Sequence, residues 1–218
     1  LALRWALRRI REQLVQFGLA DAVYYASEEG EFDVRNNVYS QILSALREYL
    51  DAPDVRLHLV THSLGVTVGH DFLYGLFGST SPDFLDQARD PQDAADYLTW
   101  RRKVGDGELR VGSLTTMASQ LPLFGLRKRS LVQRLAAGQT LQTGDIGIGL
   151  DDKVRWLVVY DVDDVLGFAT RELYGNHPSI RQVQVDSGDD PITAHVGYWR
   201  EPQTIHEAAD LIAKRAAE

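Results

Sequence analysis

Short segments rich in β-branched residues alternate with segments of helical periodicity along most of this chain, and this alternation limits the folds open to it. Strands are predicted at residues 21–27, 55–61, 108–118, 154–160 and 180–186, and helices at 3–17, 38–50, 64–77, 130–137 and 207–217. Alternating strands and helices form a mostly parallel sheet with helices on both faces. We therefore predict an α/β fold in one domain over 1–218, with the turn-rich, polar segment at about 78–104 as an excursion from it.

Composition narrows the classes of protein that fit. The net charge of −8 argues against a nucleic-acid partner, and the absence of cysteine excludes disulfides and thiolate chemistry. No apolar run approaches a membrane span and no signal peptide is visible, so we expect a cytoplasmic protein without a transmembrane segment. The sequence begins with leucine, and we expect it to be N-terminally incomplete. Nothing in it indicates an oligomeric state.

Ser63 lies in the segment HLVTHSLGVTVGHDFL (58–73), where a predicted strand gives way to a predicted helix. A serine on such a sharp strand-to-helix turn is typical of a nucleophile elbow, although the usual first glycine is replaced by Thr61. The backbone N–H of Leu64, at the start of the helix, would then face a developing oxyanion. Gly65 would let the helix approach the strand closely. The alternative is that Ser63 only caps the helix.

A base and an acid would be needed to activate this serine, and both follow in the chain order expected for such folds. Asp161, Asp163 and Asp164 follow the strand at 154–160, and His195 lies in the loop region after the strand at 180–186. Ligands of parallel sheets bind at the carboxyl ends of the strands. We therefore expect Ser63, one of the three aspartates and His195 to meet at that edge.

The segments THSLG, YDVDDVLGF and AHVGYW resemble the lipase and esterase branch of the α/β-hydrolases over about residues 20 to 200. The resemblance implies Ser63 as nucleophile, Asp164 as acid and His195 as base, with Asp161 as the alternative acid. It implies hydrolysis of a small-molecule or lipid ester without a cofactor or metal. No early strand ending in a His-Gly type loop precedes Ser63, so the first strands and second oxyanion donor of the family would be missing from this sequence.

Two other interpretations stay open. The segment WLVVYDVDDVLGF also resembles the nucleophile motif of the haloacid dehalogenase phosphatases, in which Asp161 would attack phosphorus, Asp163 would act as the acid and Mg²⁺ would be required. Only 28 residues separate Asp161 from Asp189 in the candidate metal motif, which is short for that family. A non-catalytic, hydrolase-like interaction domain is the second interpretation, favoured by the missing oxyanion donor.

Overall fold

The fold is known from a computed structural model that describes residues 20–78, 84–125, 129–149 and 153–218. The helix predicted at 3–17 lies outside these residues. The strands are β1 (Val55–His62), β2 (Leu109–Met117), β3 (Trp156–Tyr160) and β4 (Ile180–Gln184). The helices are α1 (Ala20–Ala26), α2 (Glu28–Leu46), α3 (Leu64–Phe77), α4 (Phe84–Gln87), α5 (Pro91–Gly105), α6 (Leu121–Gly125), α7 (Arg129–Ala136), α8 (Pro191–Gly197) and α9 (Pro202–Ala216). Short 3₁₀ turns occupy Arg47–Tyr49, Thr143–Ile146 and Arg171–Tyr174.

The four strands form one parallel sheet in the order β1-β2-β3-β4. The register pairs His62 with Met117 at the ends of β1 and β2, and Tyr160 with Gln184 at the ends of β3 and β4. Parallel strands need long crossover connections, and helices supply much of these connections here. The predicted α/β class with a parallel sheet is confirmed. All the strand ends that precede candidate site residues meet at one edge.

The sheet is buried on both faces, as the continuous apolar run of β3 predicts. Trp156 and Val158 belong to a large core cluster shared with α2, α3 and α5. Leu157 and Val159, which point to the opposite face, belong to a second cluster with Leu211 of α9. Helices therefore cover both faces. Among the described residues, no helix is both long and apolar enough to cross a membrane.

The strand predicted at 21–27 is wrong, because the structure has helix α1 there. Aromatic and β-branched residues favour a strand locally, but tertiary contacts decide the outcome. Tyr25 is fully buried, packs edge-to-face on Phe124 at 5.5 Å, and donates a hydrogen bond to Asp71. The helix predicted at 38–50 also begins earlier than expected, because Ser27 caps α2 through the N–H of Gly30.

The segment at 78–104 also differs from the predicted excursion over much of its length. Residues 79–83 lie outside the described part, but helix α5 begins at Pro91 and packs against β2 and the helices beside it. Its Tyr97 and Trp100 are fully buried in the larger core cluster. Because these two large aromatic rings are buried, α5 packs in the layer of helices that covers one face of the sheet, although the rest of the segment is largely polar.

Candidate active site

Ser63 stands on a sharp turn directly after β1 and directly before α3. Its backbone has φ 56° and ψ −129°, a conformation that is strained for a residue other than glycine. The N–H of Ser63 donates to the carbonyl oxygen of Met117 at 3.0 Å, which fixes the turn to the end of β2. The side chain makes no capping hydrogen bond to α3. The helix-cap alternative for Ser63 therefore does not describe this structure.

The prediction that Gly65 lets the helix approach the strand closely is wrong, and Gly69 is the glycine at the close approach. A Cβ on Gly65 would have no neighbour within 4 Å, so nothing there requires glycine for close packing. A Cβ on Gly69, one turn further along α3, would lie 3.0 Å from the side-chain methyl of Thr61. The close approach of helix and strand therefore occurs at the second turn of α3.

Ser63, His195 and Asp164 form one continuous chain of hydrogen bonds. The Oγ of Ser63 lies 2.8 Å from Nε2 of His195. The Nδ1 of the same ring lies 2.9 Å from Oδ1 and 3.1 Å from Oδ2 of Asp164. Since the carboxylate can only accept, Nδ1 carries the ring proton, and Nε2 is left to accept the serine proton.

Asp164 is held as a fully buried carboxylate, with no side-chain exposure. Its Oδ1 accepts a hydrogen bond from the Leu166 N–H at 2.9 Å, and its Oδ2 accepts one from the Tyr198 hydroxyl at 3.0 Å. Burial raises the pKa of the Tyr198 hydroxyl well above its ordinary range, so this hydroxyl stays protonated and keeps donating. These contacts fix the orientation of the carboxylate toward His195.

Asp161, the alternative acid, does not contact His195. Its Oδ2 accepts hydrogen bonds from the backbone N–H of Ser187 at 2.6 Å and the Ser187 hydroxyl at 2.7 Å, and its Oδ1 accepts from the N–H of Asp163. Burial raises the pKa of Asp161, but these hydrogen bonds outweigh it and lower the pKa overall. Asp161 thus ties the loop after β3 to the segment that leads into α8, while Asp163 is exposed.

His62 supports His195 through the backbone. Its Nε2 lies 2.6 Å from the carbonyl oxygen of His195, so this nitrogen is the donor. Burial lowers the pKa of His62, which favours the neutral ring at pH 7. His195 is therefore held at two points, by Asp164 through its ring and by His62 through its main chain.

Two other serines are hydrogen-bonded to histidines, but both are fully buried. Ser113 Oγ lies 2.8 Å from Nδ1 of His58, and Ser179 Oγ lies 2.7 Å from Nδ1 of His177. Within the part of the chain that the structure describes, neither ring is hydrogen-bonded to a carboxylate. Ser63 differs from both in its partial exposure, its strained turn and its histidine–aspartate relay.

Sequence reasoning missed two polar residues of this site. Tyr198 entered the sequence analysis only as part of the segment AHVGYW, yet its hydroxyl donates to Asp164 at 3.0 Å and accepts from the Asp161 N–H at 2.9 Å. Gln120 follows the end of β2, and its Nε2 lies 3.2 Å from Ser63 Oγ. The signal for Gln120 was available, because it stands just beyond a predicted strand, where polar residues of parallel sheets converge.

In the described ranges, no group of three or more His, Asp or Glu side chains is placed to hold a metal ion. A comparison of the chain with family models, curated proteins and solved structures finds no match.

Proposed function

We propose that this chain is a serine hydrolase of the α/β-hydrolase type that cleaves carboxylic esters. The observation that carries the proposal is the hydrogen-bonded chain from Ser63 through His195 to the buried carboxylate of Asp164. A hydroxyl on a strained turn, a ring with its proton fixed on Nδ1, and an orienting carboxylate are the parts that nucleophilic serine catalysis requires.

The proposed reaction proceeds through an acyl-enzyme. His195 Nε2 takes the proton as Ser63 Oγ attacks the acyl carbon, and Asp164 stabilises the imidazolium that results. The N–H of Leu64, the first residue of α3, has no acceptor within its own helix and faces the end where the oxyanion develops. The imidazolium then protonates the departing alcohol. A water molecule, deprotonated by His195, releases the acid.

Exposed apolar residues close in sequence to Asp164 and His195 support an ester with an apolar acyl or alcohol group. Val162 and Val165 flank the aspartate, and Val196 and Trp199 follow the histidine; about half or more of each residue's surface is exposed. The hydrogen bonds between Asp164, Tyr198 and His195 bring these two segments together. We take these residues as candidates for the surface that binds the apolar part of the ester, because contiguous exposed apolar patches mark binding sites.

The proposal is tested by labelling with a fluorophosphonate and by turnover of p-nitrophenyl esters of increasing acyl length. Ser63 should carry the label in peptide mapping, and Ser63→Ala should abolish both labelling and turnover. Ser179→Ala is the matched control, because it removes a serine hydroxyl that also contacts a histidine but lies buried elsewhere. It should leave labelling and turnover unchanged.

A folded protein that neither labels at Ser63 nor hydrolyses any ester of the panel would refute the proposal and favour the interaction-domain interpretation. Mg²⁺-dependent release of phosphate from p-nitrophenyl phosphate, lost in Asp161→Asn, would instead favour the phosphatase interpretation.

A further inference from the structure

We propose that Gln120 is a further catalytic residue of this site, and that its side-chain N–H is a second hydrogen-bond donor to the oxyanion beside the N–H of Leu64. This inference rests on the proposed ester hydrolysis. Gln120 lies just beyond β2, is only 2% exposed, and brings Nε2 to 3.2 Å from Ser63 Oγ.

The proton positions in the site decide which end of the Gln120 amide faces Ser63. Asp164 holds the ring proton of His195 on Nδ1, so Nε2 must accept the serine proton. The hydroxyl of Ser63 has then used its only hydrogen, and its oxygen can only accept from a second neighbour. The amide nitrogen of Gln120, not the oxygen, must therefore point at Ser63.

Two energetically unfavourable features accompany the position of Gln120. The carbonyl oxygen of its side chain is buried with no hydrogen-bond partner among the described residues, which is unfavourable for a polar group. Ala118, two residues earlier, has φ 51°, a backbone conformation that alanine rarely adopts. Unfavourable features of this kind concentrate at functional sites, where the surrounding structure over-determines them.

The chemistry explains how one amide can serve both oxygens. As the bond from Ser63 Oγ to the acyl carbon forms, the serine proton passes to His195 and the carbonyl π electrons move onto the carbonyl oxygen. This oxyanion and Oγ are then bonded to the same carbon, so the oxyanion lies beside the group that Gln120 already contacts. The amide nitrogen carries two hydrogens, so it can keep contact with Oγ and donate to the oxyanion. When the alcohol leaves with the proton from His195, the carbonyl re-forms and the charge disappears.

The test compares Gln120→Leu and Gln120→Glu with the control Gln92→Leu. Loss of one oxyanion donor lowers kcat by about 10² to 10³, and we expect this loss with little change in KM for both site variants. Gln120→Glu keeps the size of the side chain but removes the amide donor. Gln92 also donates from its side-chain amide, to Asp96, but on a helix that carries no site residue. Its variant should keep wild-type kcat.

Thermal unfolding separates a catalytic role from a structural one. Gln120→Leu removes the unpaired buried oxygen, so its Tm should equal or exceed that of the wild type while its kcat falls. A lower Tm together with a proportionate loss of active protein would show that Gln120 is only structural, and would overturn the inference.

Fluorophosphonate labelling distinguishes failure of this inference from failure of the proposed function. If wild-type Ser63 labels and the Gln120 variants turn over esters as fast as the wild type, only the inference on Gln120 is refuted. If wild-type Ser63 neither labels nor turns over esters, the proposed function fails and the role of Gln120 fails with it.

Discussion

Asp164→Asn is the substitution that tests the geometry of the site most directly. The backbone N–H of Leu166 points at Oδ1 and cannot change direction, so the amide oxygen of asparagine takes the Oδ1 position. The amide nitrogen then takes the Oδ2 position, 3.1 Å from Nδ1 of His195, and can donate to it, while only the weaker, neutral oxygen at the Oδ1 position still faces this nitrogen as an acceptor, at 2.9 Å. The exchange shifts the ring toward the tautomer with its proton on Nε2, which can no longer accept the proton of Ser63.

The expected loss is large because the base itself is removed. The corresponding aspartate-to-asparagine change in serine proteases costs about 10⁴ in kcat, and that precedent converts to about 5.5 kcal/mol of transition-state stabilisation. The assay is p-nitrophenyl butyrate turnover at saturating substrate. A mutant that retains its Tm while losing this activity would show that chemistry and not folding has failed.

Asp161→Asn is the matched control for this prediction. Asp161 is also buried after β3, but its hydrogen bonds go to Ser187 and Asp163 and none goes to His195. We expect a loss of about 1–3 kcal/mol in the free energy of unfolding, with less than about tenfold change in kcat. If Asp161→Asn is inactive while Asp164→Asn remains active, the assignment of the acid to Asp164 is refuted.

Three further predictions concern the same elements. Ser63→Gly should raise the free energy of unfolding by about 1–3 kcal/mol relative to Ser63→Ala, because glycine adopts φ 56° without strain; equal chemical denaturation midpoints would contradict this. Tyr198→Phe should lower that free energy by about 1.5–3 kcal/mol, measured by urea denaturation, since it removes a hydrogen bond to the Asp164 carboxylate; an unchanged midpoint would show the bond to be unimportant. Burial lowers the pKa of His62 below 6.5, so the unfolded chain binds more protons than the folded protein as the pH falls through that value, and the free energy of unfolding decreases. The Tm of His62→Gln, measured from pH 7.5 to 5, should therefore decline less steeply than that of the wild type. Parallel curves of Tm against pH would refute this prediction.

The elbow was predictable from the sequence because its signals are local. A β-branched run and a helical pattern meet at Ser63, and the observed β1 and α3 begin and end within one residue of the predicted elements. The convergence of Ser63, one aspartate after β3 and His195 also followed from the sequence, because parallel strands bring their carboxyl ends to one edge; the strand ends alone did not select Asp164 over Asp161 or Asp163.

The parts that escaped prediction depend on tertiary contacts. Helix α1 forms where the local composition favours a strand, because Tyr25 is buried against other elements. The need for glycine at Gly69 rather than Gly65 depends on where α3 crosses Thr61, which no local pattern specifies. Gln120 stands just beyond a predicted strand but belongs to no motif, and its 3.2 Å contact with Ser63 is what distinguishes it from the other polar residues there.

The order of the strands has a consequence for how the chain is synthesised. The strands lie side by side in the order in which a ribosome would produce them, with Ser63 directly after the first and His195 beyond the last. The two residues are 132 positions apart, which corresponds to about 7 to 26 s of translation at about 5–20 residues per second. The serine elbow can thus fold onto its helix well before any base reaches it. Under the proposed function, a nascent chain would carry an unreactive Ser63 hydroxyl until the final βα unit docks.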